Sequence, residues 1–238
     1  MRIKILLISL VLCLSACGTK IEENPKEYTE NYQYDVLYDD EYQEATLEQL
    51  EESIANDYND TSKFKTFKKW KEINTDVVYL LSFKDRQFPV VKNDKVNYLY
   101  RDIYKKKDIF GTPFVQIGDT YKLIYAHSVY GASEDLMFTF ISNYKDKDYW
   151  KDHKSFSLTD ENSKKNYLIV ALVWIDLNND EYQGCFDPNI DKTLFVNFIK
   201  DKALIYVDDF TANDNFVSLI TCDTASANAR YLLIGKEV

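Results

Sequence analysis

The chain has 238 residues, 45% hydrophobic and 15% aromatic, enough to bury one sizeable core or two small ones, a mix that excludes a disordered, collagen-like or polytopic membrane protein; its six glycines and four prolines exclude low-complexity architectures. The formal charge of −10 speaks against a nucleic-acid binder, because phosphate contacts need clustered Lys and Arg. That charge is unevenly placed. Residues 18–60 carry fourteen Asp and Glu against Lys20 and Lys26, whereas 61–238 carry twenty-five acids and twenty-five bases, so the acidity describes an N-terminal segment and not the body.

Arg2 and Lys4 precede the apolar run Ile5–Leu14. About ten residues cannot span a ~30 Å hydrocarbon core as a helix, but they suit the hydrophobic region of a signal peptide. The run closes on Leu14-Ser15-Ala16-Cys17, which resembles a bacterial lipobox. The resemblance implies a lipoprotein signal peptide over 1–16, lipidation of Cys17, and an extracytoplasmic protein anchored to the outer face of the cytoplasmic membrane. Residues 17–45 interleave Tyr with acids and Asn without helical or strand period, and are expected to form a solvated tether. Residues 46–238 are expected to be a single domain.

Thr46 and Gln49 resemble a capping box, with Leu47, Leu50, Ile54 and Tyr58 on one helical face. A second helix is expected from Ser62, its Phe64, Phe67 and Trp70 packing as core. After Asn74 the texture turns to short β-rich runs: Val77–Phe83, Phe114–Ile117, Tyr121–Ala126, Tyr167–Ile175, Ala203–Val207, Phe216–Thr221 and Tyr231–Ile234. Leu136–Tyr144 and Lys192–Lys200 read as helices. This alternation predicts a mainly β, closed mixed barrel with helical additions. Lys105-Lys106-Lys107 reads as a solvated turn. Asp176-Leu177-Asn178-Asn179-Asp180-Glu181 starts like an EF-hand loop, but Glu181 occupies the glycine position and Asp187 the place of the final Glu, so a polar connection is expected and no metal or other cofactor.

With Cys13 removed and Cys17 lipidated, Cys185 and Cys222 remain, either as a disulfide or as thiols of which one does chemistry. There are two histidines. His127 ends the apolar run Leu123–Ala126, and His153 sits in the charged stretch Trp150–Lys154, expected to be exposed. Cys222 ends the run Phe216–Thr221, and Arg230 opens the last strand. A thiolate nucleophile, an imidazole to move protons and a guanidinium to hold an oxyanion form a coherent set, although the residues alone do not show that the three meet.

Ser218-Leu219-Ile220-Thr221-Cys222 is similar to the Thr-Leu-x-Thr-Cys signature of sortases, with Leu219 and Thr221 flanking the cysteine. Arg230–Lys236 resembles their Arg-bearing final strand, and Ile124–Ser128 their Gly-His segment, with Ala126 in place of Gly. Phe88-Pro89-Val90-Val91, Asn97-Tyr98-Leu99, Leu136-Met137-Phe138 and Tyr144 resemble class B sortases. The resemblance runs from about Phe67 to Val238. It implies an eight-stranded barrel with N-terminal helices and a helix in a strand-connecting loop. It also implies a cysteine transpeptidase with His127, Cys222 and Arg230 as catalytic residues. Its partners would be exported proteins bearing a C-terminal sorting motif, and a peptidoglycan-precursor or pilin amine as acceptor. A degenerate binding-only lipoprotein and a hydrolytic cysteine peptidase on the same fold are the alternatives.

Overall fold

The computed structural model describes residues 64–119, 121–129, 136–178, 184–206 and 210–238. The expected signal peptide, tether and Thr46 helix lie outside these residues, as does part of the Asp176–Asp187 loop.

Nine strands occur among the described residues: β1 Val77–Ser82, β2 Gln87–Val91, β3 Phe114–Ile117, β4 Lys122–Tyr125, β5 Ser155–Thr159, β6 Lys164–Asp176, β7 Ala203–Tyr206, β8 Phe216–Asp223 and β9 Ser226–Glu237. The hydrogen-bonded order β5-β1-β2-β3-β4-β8-β9-β6 closes on itself because β6 also pairs with β5; β7 adds to β6 from outside. The barrel is mixed because β2–β3 and β4–β8 are parallel. Parallel neighbours need long crossovers, and between β4 and β8 nearly half of the domain intervenes.

Residues alternate between the two faces of each strand. Leu81, Phe88, Val115, Ile124, Leu158, Leu172, Leu219 and Leu233 come from all eight barrel strands and meet in one inner cluster with Phe138, Phe140 and Tyr144. The opposite face of β4, β6, β8 and β9 presents Leu123, Val170, Val173, Ile220, Leu232 and Ile234 to helix α3 (Lys192–Lys202), whose Phe195, Val196 and Ile199 are buried there. Burial on both faces explains why β6 reads as a continuous apolar run instead of an alternation. Asp191 caps α3, its carboxylate accepting from the Thr193 and Leu194 amides.

The structure departs from expectation in several elements. Helix α1 covers Phe67–Ile73, started by the Thr66 hydroxyl, which accepts from the Lys69 amide. Phe67 and Trp70 pack half-buried against Val77, Val91 and Tyr98, whereas Phe64 is 40% exposed because it precedes the cap. Leu136–Tyr144 is not an α-helix: Met137 adopts φ +46°, and the following turns, Thr139–Lys145, are 3₁₀. A further helix, α2 (Lys147–Asp152), follows, capped by Asp146. His153 ends it half-buried, its Nδ1 2.9 Å from the Tyr149 carbonyl and its ring stacked on Tyr149. Lys105 is not simply solvated: at φ +66° it turns its ammonium to within 2.8 Å of Asp76.

Candidate active site

Cys222 and Arg230 are directly opposed in the β8–β9 register, two residues beyond the pair Ile220–Leu232. Opposed residues point the same way, and Ile220 and Leu232 belong to the outer cluster. Cys222 and Arg230 therefore project from the outer face of the barrel, two residues beyond the pair that belongs to the cluster α3 packs on. Both are half-buried.

His127 joins them from β4. The parallel β4–β8 register matches Tyr125 with Ile220. Carried forward two residues, it brings His127 level with Cys222 and on the same face. Two further bonds extend this pairing past the end of β4: the Ala126 amide donates to the Ile220 carbonyl at 3.1 Å, and the buried Thr221 hydroxyl donates to the Ala126 carbonyl at 2.9 Å. His127, Cys222 and Arg230 thus form one row across three adjacent strands. Leu219 and Thr221 face inward, so they fix β8 from beneath and do not line the outer surface.

The row has its own electrostatics. Burial holds His127 below the usual histidine range; the Leu99 carbonyl and Asp108 pull upward, and the Arg230 charge adds to the downward push. The imidazole is therefore mainly neutral near pH 7. Its Nε2 lies 2.9 Å from the Leu99 carbonyl oxygen, and the Tyr100 ring lies 5.8 Å away, centroid to centroid. The Arg230 guanidinium donates to the Ala229 carbonyl.

On the other side of the same strands the groups are tied together. Asp223, which follows Cys222 across an irregularity in the register, accepts from Trp174 Nε1 at 2.9 Å, from the Tyr231 hydroxyl at 3.2 Å and from the Ala225 amide at 3.0 Å. Lys145 donates to the Tyr231 hydroxyl and lies over its ring. Burial pushes the Asp223 carboxyl up, but these donors and the Lys145 charge outweigh it and hold the group below the ordinary carboxylate range.

His153 stays apart from this row, facing Asp85 at 3.9 Å. Cys185 and Cys222 are both thiols. Cys185 is buried beside Phe195 in the outer cluster, its carbonyl accepting from Tyr121, and burial pushes its own thiol well up. Cys222 is the half-buried thiol, at the strand end. Two contributors carried no side-chain signal in the sequence: the Leu99 carbonyl is backbone, and Asp108 lies in a polar loop whose path only the fold reveals. The Asn97-Tyr98-Leu99 motif was the one pointer to that segment.

The closed eight-stranded mixed barrel is the sortase fold, and its solved neighbours are class B sortases. The neighbours that define it are specific. A Clostridium perfringens sortase B superposes with a TM-score of 0.63 at 26% identity, over 73% of this chain and all of that one. A Streptococcus pyogenes class B sortase involved in pilus biogenesis superposes at 0.62 and 26%, over 73% of this chain and 98% of that one. The sortase B of a Staphylococcus aureus enzyme–substrate complex superposes at 0.62 and 18%, over 80% and 90%. No family model and no curated protein sequence matches the chain. At the level of the family, this likeness supports a sortase-type transpeptidase.

Proposed function

We propose that the protein is a cysteine transpeptidase that cleaves a C-terminal sorting signal on exported proteins and transfers them to a cell-wall or pilin amine. The observation that carries this reading is the row His127–Cys222–Arg230 on one face, set by β4–β8 and β8–β9 registers. His127 takes the proton of the Cys222 thiol as the sulfur attacks the carbonyl of the sorting signal's threonine, and Arg230 donates hydrogen bonds to the oxyanion that forms. Protonated His127 gives its proton to the leaving amine as the C–N bond breaks, leaving a thioester on Cys222. An incoming amine adds to the thioester carbonyl, His127 takes a proton from it, and the C–S bond breaks to release the thiolate and a new amide. The mature chain begins at lipidated Cys17, with residues 17–45 as the tether to the membrane; Cys17→Ala should abolish the lipid mass and membrane retention.

The test is intact-mass spectrometry after incubation with a library of threonine-containing sorting peptides, with and without an amine acceptor. A thioester adduct on wild type, absent in Cys222→Ala and discharged faster by the amine, is the expected result. Discharge by water alone would make the protein a hydrolytic peptidase, and no adduct with any peptide would make it a binder.

A further inference from the structure

His127 makes its Nε2 contact with a carbonyl oxygen, which can only accept. Nε2 must therefore carry the hydrogen, and in the neutral ring Nδ1 is left as the basic atom. That assignment depends on where the Leu99 carbonyl is held, and the loop 97–112 is bonded throughout. Asn97 Oδ1 accepts from the Leu99 amide at 3.1 Å, Asp108 N donates to the Tyr100 carbonyl at 3.0 Å, and Thr112 N donates to the Tyr98 carbonyl at 2.8 Å. Gly111, at φ +61°, leaves no room for a side chain: a Cβ there would lie 2.4 Å from both the Leu99 and Tyr98 carbonyl oxygens.

The other end of the turn is anchored by a polar cluster next to α1. The hydroxyl of Tyr98, a residue 2% exposed, donates to Asp76 at 2.6 Å and accepts from Asn74 Nδ2 at 2.7 Å. Asn74 also donates to the Ile103 carbonyl, and Asp76 accepts from Asn93 and pairs with Lys105. Such a fully paired network fixes one geometry more firmly than a single bond does.

We propose that the 97–112 loop is a tautomer lock for His127, in which the Leu99 carbonyl makes Nδ1 the proton-transfer atom and Tyr98 and Gly111 act as positioning residues through it. Nδ1 as the transfer atom rests on the transpeptidase reading; the tautomer itself does not. When the ring is charged, Nε2–H stays bonded to Leu99 and Nδ1–H is delivered to the leaving amine, so one nitrogen holds and the other transfers. The charged groups acting on the ring are Asp108 from the same loop and Arg230 from β9, with the Tyr100 ring beside it, and the β4–β8 register brings Cys222 level with it.

The experiment is ¹⁵N NMR of the two histidines at a pH where His127 is neutral, in wild type, Tyr98→Phe and Gly111→Ala, with His153→Asn to assign the signals. Wild type should show a single Nε2–H tautomer for His127, and the variants a mixture of tautomers. The acylation rate should fall about 10²-fold in Gly111→Ala with KM little changed, and less in Tyr98→Phe. An Nδ1–H wild type overturns the proposal, as do folded variants that keep the pure Nε2–H signal. Should neither variant fold, the wild-type tautomer alone decides between lock and no lock. Because the spectra need no substrate, failure to form any acyl-enzyme would sink the transpeptidase reading while leaving the tautomer result standing.

Discussion

The two faces of the β8–β9 ribbon differ by one residue in register and by everything in chemistry. Inward, Thr221, Asp223 and Tyr231 are bonded to Ala126, Trp174 and Lys145 and close over an aromatic core. Outward, Cys222, Arg230 and His127 stand half-buried. Because successive residues of a strand point to opposite faces, the same backbone that is immobilised from inside aims the reactive groups outside. Rigid support beneath an open site is what keeps catalytic geometry within tolerance. The comparison predicts that inner-face changes act on stability first, and outer-face changes on rate alone.

The largest effect should come from Cys222→Ala. Acyl-enzyme formation should vanish from the mass spectrum while the melting temperature stays near wild type, since only one half-buried sulfur is removed. Next comes Arg230→Lys, which keeps the charge but loses the planar fork of donors. Its acylation rate should drop by ~10²–10³, as when an oxyanion donor is lost, with unfolding in urea unchanged.

An inner-face change should behave in the opposite way. Asp223→Ala leaves Trp174 and Tyr231 without their acceptor, and hydrogen bonds to a charged group are worth roughly 1.5–3 kcal/mol. Urea denaturation should register a loss of that order, with a smaller secondary loss of rate. The pH dependence has a definite sign. The Asp223 carboxyl is depressed in the folded state, so its stabilisation is present above the unfolded carboxylate pKa and disappears as pH falls through the lower folded value. Wild type should therefore weaken below about pH 4, and Asp223→Asn should lack that part of the slope. A stability loss in Cys222→Ala equal to that of Asp223→Ala would erase the distinction between the faces.

The smallest effect concerns His127. Its midpoint, followed by NMR, should lie below the ordinary histidine value. Arg230→Gln should move it up by removing a like charge, and Asp108→Asn should move it down by removing an opposite one. Shifts in the reverse directions would mean that neither group faces the ring.

Much of this architecture could be read from residue order. The strands that carry the row are apolar runs that stop abruptly at His127 and Cys222, and a run ending in a chemically active residue is legible without coordinates. Other elements hid for physical reasons. Pro89 interrupts the β2 pattern although it is paired opposite Leu80, and β5 is five residues following a charged stretch. The spacing of Leu136–Tyr144 suits a helix, yet Met137 at positive φ and the 3₁₀ turns after it send Phe138, Phe140 and Tyr144 into the barrel instead. The row itself needed the fold. Nothing in the local sequence tells that β4 will pair with β8, and a backbone carbonyl such as that of Leu99 leaves no trace in a string of side chains.

The parallel pairing of β4 with β8 also sets an order of events in time. Until residues 216–223 are made and docked, β4 has β3 on one side and an open edge on the other. A pairing of such long sequence separation pays its loop-closure entropy before any contact rewards it, so it forms late. Cys222 and Arg230 reside on the two strands that complete the barrel, and His127 follows the edge they fill. A chain interrupted before β8 therefore holds His127 without Cys222 or Arg230: the row is assembled in the same step that makes the barrel whole.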